Sequence, residues 1–284
     1  MFDRFIPTPS SNSIELGAIT IHYYALSILL GIISALVLGS YRWKRAGGIT
    51  SELYDLAIYV IPAGILGGRL YHVITTPELY FGTGGHFQNA FKIWEGGMGI
   101  WGAVALGTAV AYIYFKSKPR SITFPAALDV LAPGILIAQG IGRWGNWFNH
   151  ELFGRPTTLP WGLRIPLADR PAGYEKFATF HPTFLYESLW CFICTLLILL
   201  LPQVKKLKSG NTFLLYIFLY CLGRIGIEAL RIDFAHRILG FRLNVWVATI
   251  GLAISGAFIY KRERAPNPEN LSWVGYSHEF RSGL

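Results

Sequence analysis

Charge is what this 284-residue sequence has least of. It holds 25 Lys and Arg with 16 Asp and Glu, 14% of the chain, where a soluble domain carries about 25%. With 52% hydrophobic residues, a water-soluble globule would have too few charges to coat itself. Cysteine is scarce too: three residues make no disulfide framework. Cys191, Cys194 and Cys221 all lie in apolar stretches and read as packing residues rather than a redox pair or a nucleophile. There is no G-x-S-x-G elbow, no H-E-x-x-H, no Walker loop and no clustered Cys/His set, and the seven His are scattered. Nucleotide-driven and zinc chemistry are therefore not expected, and neither a metal nor a cofactor is called for. The net charge of +9 forms no dense basic run interleaved with aromatics, so no nucleic-acid partner is expected. The 31 Gly follow no period, and no internal repeat stands out. Residues 1–15 are polar with Pro7 and Pro9, so no cleavable signal peptide is expected ahead of the first apolar stretch. What remains is a polytopic membrane protein.

An α-helix needs about 20 mostly apolar residues to cross the hydrocarbon core. Seven windows qualify: 21–41, 55–75, 97–115, 123–142, 184–201, 212–230 and 243–260. The expected fold is thus all-α, with seven transmembrane helices. Cations gather after every second one: Arg42, Lys44 and Arg45; Lys116, Lys118 and Arg120; Lys205, Lys206 and Lys208; Lys261, Arg262 and Arg264. The positive-inside rule then puts the N-terminus outside and the C-terminus in the cytoplasm. Segments 76–95, 144–183 and 232–242 face outward on this reading. The longest, 144–183, is expected to form a small extracytoplasmic head, too short for a core of its own. Residues 1–263 are read as one integral membrane catalytic domain and 264–284 as a cytoplasmic tail.

A charge at mid-bilayer costs about 2.5–3.5 kcal/mol on insertion scales, so charges inside spans carry information. The fourth span runs into Gly140-Ile141-Gly142-Arg143-Trp144-Gly145-Asn146, and Arg143 and Asn146, three residues apart, share a helical face. Two readings fit. The guanidinium fork could take two oxygens of a lipid phosphate, or Arg143 could snorkel to an interface beside Trp144 and Trp147. In the sixth span Tyr220, Arg224, Glu228 and Arg231 fall at helical spacing. An Arg224–Glu228 pair could simply neutralise itself, or Glu228 could orient Arg224 as the second arm of a clamp with Arg143. Arg69 and Glu95 could pair between the second and third spans. Gly99, Gly102 and Gly107 read as a close-packing face. Tyr24 is placed to reach a head group, and Glu187, behind His181-Pro182, reads as a polar anchor at a helix start.

Taken together these residues resemble the bacterial prolipoprotein diacylglyceryl transferases. The run Gly142-Arg143-x-Gly145-Asn146-x-x-Asn149-x-Glu151-x-x-Gly154-Arg155 is similar to that family's signature. Further likenesses are His22-x-Tyr24, Gly67-Gly68-Arg69, Trp94-Glu95-Gly96-Gly97-Met98, Asp129, His181-Pro182-x-x-x-Tyr186-Glu187 and the stripe from Tyr220 to Arg231. The resemblance covers about residues 14–260. It implies seven membrane helices in the bacterial cytoplasmic membrane. It also implies transfer of the diacylglyceryl group of phosphatidylglycerol to the lipobox cysteine thiol of a prolipoprotein signal peptide, with glycerol phosphate released. By position it implies Arg143 as a phosphatidylglycerol-binding arginine, with Asn146, Glu151, Gly154, Tyr24, Arg224 and Tyr220 as further site residues. One departure stands out. Where many members carry His-Gly-Gly-x-x-Gly in the third span, this chain has Trp101-Gly102-Ala103-Val104-Ala105-Leu106, and Trp-bearing variants of this kind occur among actinobacterial members.

The implied chemistry displaces a phosphate ester from a glycerol carbon with a thiolate-like sulfur. The expected catalytic set is Arg143, Arg224, Glu151 and Tyr24. The expected substrate contacts are Arg143, Asn146, Gly154, Tyr220, Glu228, Arg69 and Glu95. For the proton acceptor the order of preference is Glu151, then a phosphate oxygen of the lipid, then His150 or His181. The alternative is a transporter or flippase of a small anion or anionic lipid, against which the lack of repeated halves counts.

Overall fold

The computed structural model describes residues 5–17, 19–93, 96–204 and 207–265. Their order is β1 (Ser13–Leu16), β2 (Ile19–His22), α1 (Tyr23–Arg45), α2 (Thr50–Thr75), α3 (Ile100–Ser117) and α4 (Phe124–Phe148). There follow β3 (Leu163–Arg164), β4 (Thr179–Phe180), α5 (Thr183–Val204), α6 (Asn211–Leu230), β5 (Arg237–Ile238), β6 (Phe241–Arg242) and α7 (Leu243–Arg264). Each expected span has its helix within a few residues. Six of them, all but α3, are long and apolar enough to cross a membrane. α3 has 18 residues, about 27 Å of helix against a core of about 30 Å, and Lys116 lies in its last turn. The helices expose what a soluble protein would bury: Val37 and Ile58 are each 66% exposed. The last turns of α1 and α7 carry Arg42, Lys44, Arg45 and Lys261, Arg262, Arg264. There, cations complement the helix dipole, and Arg42 also donates to the Val130 carbonyl at 3.0 Å.

The chain forms two compact units, one of Ile28–Gln139 and one of Met1–Ser27 with Gly140–Leu284. In the first, α2 and α3 cross almost backbone to backbone. A Cβ on Gly67 would lie 2.3 Å from the carbonyl oxygen of Gly102, and one on Gly102 2.1 Å from that of Gly67. The Gly99 amide donates to the Gly68 carbonyl at 2.8 Å. In lipid, where apolar burial no longer drives association, such close packing holds helices together. The expected glycine face is therefore present, although Gly107 has only ordinary contacts, 3.7 Å from Val60. Trp43, Leu53, Leu56, Tyr114 and Ile122 form this unit's buried cluster.

In the second unit, α4 runs on to Phe148, past the expected end of its span, so the chain leaves the helix only after the Arg143–Asn146 turn. The segment that follows folds around two short strands, with Leu163 opposite Phe180. Its cluster of Phe153, Leu163, Ile165, Phe180 and Phe184 packs against Ile6 and Trp147. It borrows from α4, α5 and the N-terminal segment, in keeping with a stretch too short to make a core alone. Residues 5–16, polar in sequence, do not stand apart from the fold. Instead Ile6 bridges Leu163 in parallel, Trp147 donates to the Pro7 carbonyl at 3.0 Å, and β1 pairs with β2 as a hairpin leading into α1. Of the expected tail, residues 266–284 lie outside the described residues, as do the cations Lys205 and Lys206.

Candidate active site

The polar residues of α4, α5 and α6 form one connected network within the second unit. Its centre is Glu187, one turn into α5, whose side chain is 4% exposed. Arg143 places Nη2 2.9 Å from Glu187 Oε1, and Arg224 places Nη1 2.8 Å from Oε2. The Tyr220 hydroxyl donates to Oε1 at 3.0 Å. Two guanidinium groups from different helices thus converge on the two oxygens of one anion. A carboxylate this deep would lose several kcal/mol of hydration without such partners.

The network extends in both directions from that anion. On the α4 side, Arg143 donates to Asn146 Oδ1 at 3.4 Å. The Asn146 and Asn149 amides donate to Glu151 Oε1 at 2.8 and 3.3 Å. Arg143 therefore does not merely snorkel; α4 continues far enough to hold it among partners. On the α6 side, Arg224 Nη2 pairs with Glu228 Oε2 at 2.8 Å. The fully buried Glu228 also takes Arg242 at 2.6 Å, with Arg231 at 3.9 Å and the Asn244 amide at 3.2 Å. So the intrahelical Arg224–Glu228 pair forms, and Arg224 also reaches Glu187 on α5. Arg231 caps the C-terminus of α6 and, with Arg242, grips Asp233 at 2.7 and 2.9 Å. Burial alone would raise the Asp233 pKa, but the hydrogen bonds and charges of Arg231 and Arg242 prevail and hold it below the usual carboxylate range.

Tyr24, at the start of α1, lays its ring on Gly145: a Cβ there would meet Tyr24 Cδ2 at 2.5 Å. It also lies within the electrostatic reach of Glu151 and Arg143. Gly154 pairs with Arg231 in a backbone bridge, where a Cβ would sit 2.9 Å from the His181 Cβ. Between them His150 and Leu152 hold positive φ, 53° and 59°. His150 is fixed by Asp169 at 2.8 Å and the Pro9 carbonyl at 2.9 Å, and His181 by the Tyr186 hydroxyl at 3.1 Å. A cavity of about 220 Å³ opens here, walled by Glu151, His150, Asp169 and Asp233 among others.

The Arg69 guanidinium donates to the carbonyls of Asn89, Ala90, Gly96 and Gly97. Glu95, its expected partner, lies outside the described residues. Sequence reasoning undervalued Glu187, read only as an anchor, and missed Arg242 and Asp233. A buried acid whose arginines lie on the neighbouring helices leaves no spacing signal. The one available cue was an acid inside an apolar run.

The family model for prolipoprotein diacylglyceryl transferase matches residues 11–261. The chain belongs to that family. A Streptomyces coelicolor protein named phosphatidylglycerol–prolipoprotein diacylglyceryl transferase 2 is 48% identical over 94% of this chain and 84% of its own length. A Streptomyces griseus transferase is 50% identical over 90% and 77%, and one from Cutibacterium acnes 51% over 84% and 80%. Many of the diacylglyceryl transferases it matches are actinobacterial. With six candidate spans, this member of the family is a multi-pass bacterial membrane protein.

Proposed function

We propose that this chain transfers the diacylglyceryl group of phosphatidylglycerol to the lipobox cysteine thiol of prolipoproteins, forming a thioether and releasing glycerol phosphate. The observation that carries the reading is the convergence of Arg143 and Arg224 on one two-oxygen anion. A phosphodiester presents the same paired oxygens, and Arg forks bind them bidentately. Arg143 holds the lipid phosphate in the ground state. Arg224 tightens on it as the C–O bond breaks and charge grows on the leaving group, the largest stabilising effect expected for such a displacement. Glu228 orients Arg224. Asn146, itself held by Glu151, steadies Arg143 from the other side, and Tyr24 and Gly154 shape the walls.

The same reading treats residues 1–263 as one catalytic domain and takes α3 as a seventh span. The N-terminus and the 144–183 head lie outside the cell membrane, as the cation clusters favour. The test is direct. Purified protein is mixed with phosphatidylglycerol and a lipobox peptide, and the peptide is weighed by mass spectrometry. A diacylglyceryl addition is expected, lost when the peptide carries Ser for Cys. No addition to the Cys peptide refutes the activity.

A further inference from the structure

The two guanidinium groups that would grip a lipid phosphate are not vacant: Glu187 holds both. A phosphodiester and this carboxylate compete for the same nitrogens, Arg143 Nη2 and Arg224 Nη1. In a poorly hydrated pocket two anions a few ångströms apart repel strongly, so the lipid enters by taking the arginines from Glu187. The groups facing Glu187 are Arg143 from α4, Tyr220 and Arg224 from α6, and Cys191 one turn along its own helix. Once both arginines turn to phosphate, only neutral groups such as the Tyr220 hydroxyl and the Cys191 thiol face it. A buried carboxylate stripped of its counter-charges is the group that gains most by accepting a proton. Glu151 lacks this property: its Oε1 is held by two neutral amides that substrate does not remove.

Resting on the transferase reading, we propose that Glu187 stands in for the substrate phosphate in the empty enzyme and, once displaced, takes the thiol proton. The sulfur electron pair then attacks the glyceryl carbon, and the C–O pair passes to the phosphate oxygen. The proton moves from Glu187 to the departing glycerol phosphate. The carboxylate is regenerated, recaptures both arginines and expels the product. No other proton acceptor is needed, which accounts for a chain with Trp101 in the third span where relatives of the resemblance carry His.

The test compares the wild type, Glu187→Gln and Glu151→Gln on two lipobox peptides, one with cysteine and one with selenocysteine, whose selenol is already ionised at neutral pH. Glu187→Gln should lose about 10²–10⁴-fold in turnover on the cysteine peptide. It should recover to within about tenfold of wild type on selenocysteine, and should retain phosphatidylglycerol at least as well in native mass spectrometry, since the competing anion is gone. A purely structural Glu187 would instead weaken lipid retention and respond to neither peptide. The inference is overturned by Glu187→Gln working normally on cysteine, by a folded variant that selenocysteine does not rescue, or by rescue of Glu151→Gln instead. If Glu187→Gln fails to fold, the wild type decides. With an internal base the cysteine-to-selenocysteine rate ratio stays flat from about pH 5 to about pH 8, whereas without one it climbs about tenfold per pH unit. A wild type that modifies neither peptide removes the transferase reading, and this inference with it.

Discussion

Replacing Arg224 by lysine keeps the charge and removes the geometry. Arg224 spans two acids on two helices, with Nη1 at 2.8 Å from Glu187 and Nη2 at 2.8 Å from Glu228. A single ammonium on a flexible stem cannot hold both, so one charge-assisted hydrogen bond is lost. Such a bond contributes about 1.5–3 kcal/mol. If that bond is made to the leaving phosphate in the transition state, turnover should fall about 10- to 150-fold. The KM for phosphatidylglycerol should move less, because Arg143 still holds the ground state. The assay is transfer of a diacylglyceryl group to a lipobox peptide under varied phosphatidylglycerol, with thermal unfolding in the same detergent to verify the fold. Arg143→Lys, in contrast, should raise the lipid KM. Near-normal kcat in Arg224→Lys, or identical kinetic profiles for the two variants, would refute the division of labour between these arginines.

Other consequences can be measured alongside. Gly145→Ala pushes a methyl into the Tyr24 ring; it should destabilise by about 1–3 kcal/mol and abolish most activity, and adding Tyr24→Ala should restore the melting temperature but not turnover. Arg242→Met leaves Glu228 and Asp233 each short of a partner, and should destabilise by about 3 kcal/mol. Combined with Glu228→Gln it should show a coupling of about 1–3 kcal/mol, and strict additivity would disprove the contact. Because the Asp233 carboxyl is held below its ordinary range, its stabilisation is complete above about pH 5 and is lost as pH falls through the lowered folded-state value. The melting-temperature gap between wild type and Asp233→Asn should therefore narrow on acidification, and a widening gap would contradict the pairing.

The helices were legible because lipid imposes a length and a composition on every span, and both are written locally. The Arg143–Asn146 and Tyr220–Arg224–Glu228 stripes were legible for the same reason, since three- and four-residue spacing is a property of one helix. What joins the stripes was not. Glu187 meets Arg143 across 44 positions and Arg224 across 37, and no periodicity reports a contact between helices. Arg242 was invisible because its hairpin looks like an ordinary polar turn. The carbonyl partners of Arg69 carried no signal either, lying 20 to 28 positions along the chain. The end of α4 was set too early because Gly-Arg-Trp-Gly-Asn reads as a break, while its partners on α5 keep it wound.

The stitch between Ile6 and Leu163 also bears on how the molecule is made. A ribosome adding about 5–20 residues per second emits the Ile6 strand on the order of ten seconds before its mate. Throughout that interval the early segment must remain unpaired while α1 to α4 are made. Closure is then a late event with high contact order, and deleting residues 5–9 should leave the helices intact while the lobe around Leu163 becomes open to protease.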